Sequence, residues 1–324
     1  MAKSTRQQVL TDLLQYQNGW RSGDELAADL GVSRETVWKA INALRKAGHH
    51  IEGRKSLGYR YAASAVLDAD AISFYTHTQM PVTVLASVDS TQVYAKEAVN
   101  AGTRTLPFAV LADQQSGAYG RRGRHFYAPA SSGLYLSMVL PNAGATLQNV
   151  GLLTTGVANA VVDVLAATFP GQNFGLKWVN DVLLNGHKVG GIITEAVLEL
   201  ESTSTAAFII GIGLNLTTAD FPAALTDVAG AIQVGADVDR NLLAARIIDH
   251  VTQLYAHYGD GAFLPAYRQR SVTIGKQVTL NLGNERVLGK VLDIADNGGL
   301  VLRDVFGTVH TFTSGEVVKV ENSH

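Results

Sequence analysis

The stretch SGDELAADLGVSRETVWKAINALRKAG, residues 22–48, constrains this chain more tightly than any other. Ser22 followed by Glu25 is a capping-box pattern, in which two side chains satisfy the orphan N–H groups of a helix start. The helix it opens stops at Gly31. Ser33 then offers a second N-cap, and Glu35 suits the positive end of a second helix. Val37, Ile41 and Leu44 recur at i, i+4 and i+7 and make one buried stripe. Two short helices joined this tightly predict a helix-turn-helix, with 34–46 as the recognition helix. An upstream helix over about 5–15 completes a three-helix core with Leu10, Leu13 and Leu14. Ser33, Arg34, Thr36, Lys39, Asn42, Arg45 and Lys46 lie off the buried stripe and are the candidate DNA contacts.

The next segment, HHIEGRKSLGYRYA (49–62), alternates around glycines as a β-hairpin does, which makes the unit a winged helix. Arg54, Lys55 and Arg60 can meet phosphates, contacts that supply charge but little sequence information. His49 and His50 read as turn residues rather than metal ligands. The alternative is a helical unit that docks on protein and solvates its basic face. Charge favours nucleic acid. Residues 1–60 carry ten Lys/Arg and six Asp/Glu, a net of +4, whereas the remainder carries sixteen and twenty-two, a net of −6. An acidic body with a basic head points the head at a polyanion.

A chain of 324 residues accommodates two or three domains. No apolar run is expected to reach the roughly 18 residues that span a bilayer, and no signal peptide is read at the start. Cysteine is absent, which excludes disulfides, thiolate metal sites and cysteine nucleophiles and fits the cytoplasm. The expected divisions are 1–63, 64–270 and 271–324.

Residues 66–270 mix strands and helices. Strands are expected at 82–88, 108–113 and 133–140, near 174–185 and 187–198, and at 206–216. Helices are expected at 90–102, about 148–168, and near 240–257 and 261–269. The reading is an α+β domain around a mixed sheet. Between two of its strands lies GAYGRRGRHFY (117–127), with Arg121, Arg122 and Arg124 among Gly117, Gly120 and Gly123. Such a loop can wrap a phosphate with backbone N–H groups and guanidinium forks together. It lacks the Lys-Ser/Thr ending of a P-loop, and a solvated charge run is the plainer alternative. In KWVNDVLLNGHKVGG (177–191), Lys177, Asp181 and Lys188 can serve one polar site, either holding magnesium beside a nucleotide or forming a structural ion pair. Asn215, in GIGLNL (211–216), needs hydrogen bonds if buried, from a purine edge or from neighbouring backbone. Residues 271–320 alternate with glycine turns and predict a small, SH3-like β-barrel, as a functional cap or a structural appendage.

Six motifs occur in order: DSTQ (89–92), QSGAYGRRGRHFYAP (115–129), GLYLS (133–137), KWVND (177–181), KVGGIITE (188–195) and GIGLNL. Together they resemble the bifunctional biotin–protein ligases that also repress biotin operons, and the resemblance covers nearly the whole chain. It implies an ATP-dependent ligase that forms biotinyl-5'-AMP and passes biotin to a lysine of a biotin carboxyl carrier domain. It implies biotin contacts at Ser90, Thr91, Gln92, Gln115, Tyr119, Gly120, Arg121 and Lys188. Nucleotide contacts are implied at Arg122, Arg124, Phe126, Lys177, Asn180 and Asn215, with Mg2+ held at Asp181. Catalysis is implied to rest on Lys188, Arg121, Arg122 and Arg124. The adenylate is implied to be the corepressor of a homodimer on operator DNA, with no role for a membrane. Departures stand out. Ala118-Tyr119 replaces the usual Gly-Arg, Phe126 a common tryptophan and Val179 the proline of KWPND. The segment 217–230 looks short beside that of the best-known repressing members, so its part in coupling is open.

Overall fold

The computed structural model describes residues 3–16, 19–142, 150–198, 205–233 and 238–321. At the N-terminal end, α1 (Thr5–Gln15), α2 (Gly23–Leu30) and α3 (Arg34–Lys46) pack together, followed by the antiparallel hairpin β1 (His49–Arg54) and β2 (Gly58–Ser64). The caps fall where the side-chain chemistry asks. Ser22 and Glu25 form the reciprocal capping box, Gly31 closes α2 in the left-handed region at φ 64°, and Ser33 Oγ accepts from Thr36 N. Val9, Leu10, Leu13, Leu26, Val37, Ile41 and Leu44 form the core of this unit.

The central sheet has seven strands in the order β3 (Val82–Val88), β4 (Phe108–Gln115), β5 (Gly133–Pro141), β9 (Thr205–Asn215), β8 (His187–Leu198), β7 (Asp181–Leu184), β6 (Phe174–Lys177). Only β3 and β4 run parallel; the other neighbours are antiparallel, so the sheet is mixed as expected. The segment 174–185 is two strands, because the chain reverses at Trp178–Asn180 and pairs Lys177 with Asp181. α4 (Ala69–Tyr75), α5 (Thr91–Asn100), α6 (Val150–Thr168), α7 (Arg240–Tyr255) and α8 (Leu264–Arg270) complete this region. The expected start of α6 at 148 lies outside the described residues. α6 corrects one expectation: by length and composition it matches a membrane span. Its buried residues instead pack in the same core as those of α7 and the central sheet, which is where a helix apolar on nearly all sides belongs.

The C-terminal strands β10 (Gln277–Asn281), β11 (Arg286–Ile294), β12 (Leu300–Asp304), β13 (Val309–Phe312) and β14 (Glu316–Glu321) form one antiparallel sheet in the order β13-β12-β11-β10-β14. β13 and β14 are its edge strands and are not paired with each other, so no closed barrel is found among the described residues. Its inner face, with Val278, Leu280, Val291 and Leu302, joins the core of the central region. Trp178 fastens the two by donating Nε1–H to Gly298 O at 2.9 Å. This packing brings the start of β14 to the arginine loop.

Candidate functional site

A cavity of about 1330 Å³ opens along the β4–β5–β9–β8 part of the sheet and is closed on one side by the loop between β4 and β5. Its wall includes every ligand-contact residue expected in the central region, from Ser90 to Asn215. The arginine loop has a defined shape. Gly120 N donates to Arg124 O at 2.7 Å and Phe126 N to Ala118 O at 2.9 Å, so 118–126 folds as a small hairpin. Arg122 at its tip takes the left-handed conformation, φ 58°, followed by Gly123 at φ 70°. All three arginines meet the C-terminal sheet. Arg121 Nη1 donates to Gly315 O at 3.0 Å, Arg122 Nη2 to Asn281 O at 3.3 Å, and Arg124 forks onto the Glu316 carboxylate. Burial, with Arg122 alongside, draws the Arg121 guanidinium below its ordinary value. The charge run is thus not simply solvated.

Opposite the loop, Asp181 at the start of β7 is nearly buried and holds two ammoniums. Lys188 Nζ lies 2.5 Å from Oδ1 and Lys177 Nζ 3.0 Å from Oδ2. Burial acts to raise its carboxyl, but the lysines outweigh it and hold the group below the ordinary carboxylate range. Both oxygens are engaged by lysines, and among the described residues no group of three or more His, Cys, Asp or Glu gathers here, so Asp181 stands as a lone carboxylate that aims Lys188. A magnesium ion beside it would need water and the nucleotide's phosphates as its other ligands. Gly191 leaves room for Lys188: a Cβ there would meet its Nζ at 3.3 Å.

The residues of DSTQ are largely engaged by neighbouring protein groups. Ser90 caps α5, accepting from Val93 N. Thr91 donates N–H to Gln115 Oε1 at 2.7 Å. Gln92 is buried, with Nε2 on Ile209 O at 3.1 Å, and builds the wall rather than reaching inward. Ser137 Oγ, overlooked in the sequence, lies 2.9 Å from both Thr91 Oγ1 and Gln92 Oε1. The packing of α5 against β5 brings it there.

At the far end, Asn215 donates Nδ2–H to Gly230 O at 3.1 Å, while its Oδ1 is buried without a partner. Phe126 lies over β9, where a Cβ on Gly213 would come within 2.8 Å of its ring. Asn180 ties its amide to Ile192 O at 2.9 Å. The short 217–230 segment is part of the wall: its end runs beside β8, with Lys188 N on Val228 O at 2.8 Å, and Phe221 packs near Tyr127. Tyr119 joins Lys96 and Glu195, two residues the sequence did not single out.

On the N-terminal unit, Arg34 and Lys39 are exposed and paired within the surface to Asp24 and Glu35. Thr36 Oγ1 meets Ser33 Oγ at 2.9 Å. Asn42, Lys46 and Lys55 remain on the outer face or hairpin turn, and Arg54 lies over Trp20. Arg45 is exposed, and its Nε and Nη2 both donate to Ile51 O, at 2.9 and 2.7 Å, so it also braces α3 against the hairpin. His49 is no turn residue. It starts β1, is buried, and bridges Tyr61 and Asp68.

Comparison with known proteins follows this division. Residues 84–215 match the Biotin/lipoate A/B protein ligase family, 5–60 an HTH domain and 273–320 the biotin protein ligase C terminal domain. The bifunctional ligase/repressor BirA of Bacillus subtilis (strain 168) is 32% identical over 315 residues, covering 93% of this chain and 95% of the relative. The chain belongs to the BirA ligase/repressor family. The Escherichia coli (strain K12) BirA is 28% identical, with 92% of each chain covered. Among solved structures, the Aquifex aeolicus biotin protein ligase in complex with biotin and ATP matches at TM-score 0.58 and 27% identity, covering 76% of this chain and all of that one. Within the family's pattern, Ala118-Tyr119 and Phe126 are accommodated by packing, since Ala118 and Phe126 share a small cluster with Ala128 and Tyr135.

Proposed function

We propose that this BirA-family chain is an ATP-dependent biotin–protein ligase that also acts as a biotin-responsive repressor. The observation that carries the reading is the single cavity in which the arginine loop, the Lys188 ammonium and the unpartnered Asn215 Oδ1 face common space. Lys188 orients the biotin carboxylate. That carboxylate attacks the α-phosphate of ATP, forming biotinyl-5'-AMP and releasing pyrophosphate. Attacker and target are both anionic, so positive groups must stand where charge builds up. Lys188 and Arg121, Arg122 and Arg124 supply them, the arginines by leaving Gly315, Asn281 and Glu316 for the phosphates. Asn215 Oδ1 accepts from the adenine amine, and Phe126, Lys177 and Asn180 complete the nucleotide side. Ser90, Thr91, Gln115, Tyr119 and Gly120 line the biotin side, with Gln92 behind them. Magnesium, where bound, would be held by Asp181 together with the nucleotide and would supply further positive charge against the phosphates. A lysine amine of a biotin carboxyl carrier domain then attacks the mixed anhydride carbonyl and expels AMP, so no side-chain nucleophile is needed.

In this reading the chain divides at 1–63, 64–270 and 271–324 and works in the cytoplasm. The first unit is a winged helix that reads one operator half-site, and the adenylate-bound protein pairs as a homodimer on an inverted repeat. Ser33, Arg34, Thr36, Lys39, Asn42, Arg45, Lys46, Arg54 and Lys55 face DNA, with Arg45 also bracing the hairpin. The test is transfer of labelled biotin from biotin and ATP to a carrier domain with lipoate as competitor, alongside operator titration. Label appearing on the carrier lysine, resistant to lipoate, supports the ligase. Lipoate transfer in its place, or no adenylate at all, overturns it.

A further inference from the structure

Tyr119 stands where the family's pattern has arginine, and its phenol is held from two sides. Lys96 Nζ, on α5, donates to the phenol oxygen at 2.8 Å. The phenol donates to Glu195 Oε2, on β8, at 3.0 Å. Lys96 Nζ also donates to Glu195 Oε1 at 2.7 Å, closing a three-membered ring of contacts. The ammonium lies 5.3 Å from the centre of the Tyr119 ring, within cation–π range. Tyr119 lines the cavity, whereas Lys96 and Glu195 stand behind its wall. Burial acts to lower the Lys96 ammonium, but Glu195 and Tyr119 outweigh it and raise it, so the lysine stays charged at neutral pH.

The position of this ring in the loop gives it consequence. The small hairpin 118–126 begins at Tyr119: its closing bonds are Phe126 N to Ala118 O and Gly120 N to Arg124 O. Fixing Tyr119 therefore fixes the first arm of the hairpin, and with it the direction in which Arg121 and Arg122 leave. We propose that Lys96 and Glu195 are positioning residues for the reaction site, which act through Tyr119 to hold the first arm of the arginine loop in its hairpin shape before any ligand arrives. What the loop then binds rests on the function proposed above; its pre-ordering does not. A loop already ordered exacts less conformational entropy from the incoming ligand, so the effect belongs in ligand affinity rather than in the chemical step.

The experiment uses the full chain and compares wild type with Lys96→Met, Glu195→Gln and Lys96→Arg. Without ligand, trypsin cleavage after Arg121, Arg122 and Arg124 reads loop order directly. Loss of two charge-assisted hydrogen bonds is expected to speed that cleavage about tenfold in Lys96→Met and Glu195→Gln, while the rest of the digestion pattern stays unchanged. Lys96→Arg, which keeps the charge and donors, is expected to restore most of the protection. In the ligase assay the first two variants raise the KM for biotin by about tenfold and change kcat less than about twofold. Equal cleavage of wild type and both variants in the ligand-free state overturns the proposal, as does a kcat loss with unchanged KM. If wild type forms no adenylate, the functional reading fails, while the cleavage contrast still decides the latch.

Discussion

Lys188→Met separates two roles that meet in one ammonium, and the structure sets the size of each. In the folded protein Lys188 Nζ lies 2.5 Å from Asp181 Oδ1, and Asp181 is 9% exposed. Removing one partner of a buried charge pair can cost about 3–5 kcal/mol. Two features reduce that here. Lys177 stays at 3.0 Å on the other oxygen. The Lys188 side chain is itself 38% exposed, so solvent already screens part of the attraction. The expected loss of stability is about 1–2 kcal/mol, the range of an unmet hydrogen bond to a charged group. Catalysis is expected to fall further, by about 10²–10³ in adenylation rate, as when a preorganised electrostatic donor is deleted. Denaturant unfolding reads the first quantity and biotin-dependent pyrophosphate–ATP exchange the second. The double variant Lys188→Met/Asp181→Asn tests the partition, because neutralising Asp181 removes the half-paired carboxylate, with the partly exposed Lys177 left to solvent, without returning a cation at position 188. Stability is expected to recover to near wild type while exchange stays low. Exchange at near wild-type rate in Lys188→Met, or recovery of exchange in the double variant, refutes the assignment.

Asn215→Ala removes the unpartnered acceptor together with the bond to Gly230, and is expected to raise the KM for ATP by about tenfold with a smaller change for biotin, read by initial-rate kinetics. Gly213→Val pushes a side chain into the Phe126 ring, which a Cβ alone would meet at 2.8 Å, and is expected to speed adenylate dissociation, measured by chase with unlabelled biotin and ATP. An unchanged off-rate would show that the ring has no part in covering the adenylate. Asp68 gives a pH dependence. Burial acts to raise its carboxyl, but His49, the Ala71 N–H and Arg6 outweigh it and hold the folded value well below the ordinary carboxylate range. Its contribution is therefore present above about pH 4 and is lost as pH falls towards the depressed folded value. In Asp68→Asn the acid limb of the stability curve is expected to be shallower than in wild type, and superimposable limbs would rule this out.

What could be read in the sequence was local. Caps at Ser22, Glu25 and Ser33, the stop at Gly31 and the stripe Val37, Ile41, Leu44 all act within one or two helical turns. The arginine cluster could be seen as a cluster because its members adjoin. The misjudged features depend on distant partners. α4 has only seven residues, too few for periodicity to show, and is held by Asp68 and by packing. His49 has no local sign of burial; its partners are Tyr61 and Asp68. The C-terminal strands alternate whether or not the first and last meet, so alternation alone could not tell a barrel from an open sheet. The hold of Asp181 on Lys188 depends on the β7–β8 pairing, which no local pattern shows. The Lys96–Tyr119–Glu195 ring draws on three elements 76 residues apart at its widest bond to Tyr119. The docking of the arginines spans still more of the chain, 194 residues between Arg121 and Gly315.

The joint between the N-terminal unit and the ligase bears on how a repressor of this design can read DNA. Arg6 on α1 donates to Asp68 Oδ2 at 2.7 Å, and His49 reaches the same oxygen at 3.3 Å. Asp68 N donates to Asn241 Oδ1 at 2.8 Å, and Asn241 Nδ2 to Val66 O at 3.0 Å. Beside it, buried Arg240 binds Ala65 O at 3.1 Å and Asp113 Oδ1 at 2.6 Å, on the strand that leads into the arginine loop. The link between the units is thus clamped from both sides rather than left as a free tether. Two heads on an inverted repeat must present α3 helices about one turn of DNA apart, roughly 34 Å. Heads on slack tethers would sample many spacings, and each binding event would have to reverse that freedom. A clamped joint spends the ordering at folding instead, so that pairing of two ligase bodies fixes the separation of the heads. In the homodimer proposed above, ligand control of DNA binding would need only to act on pairing, with no change of shape in the head.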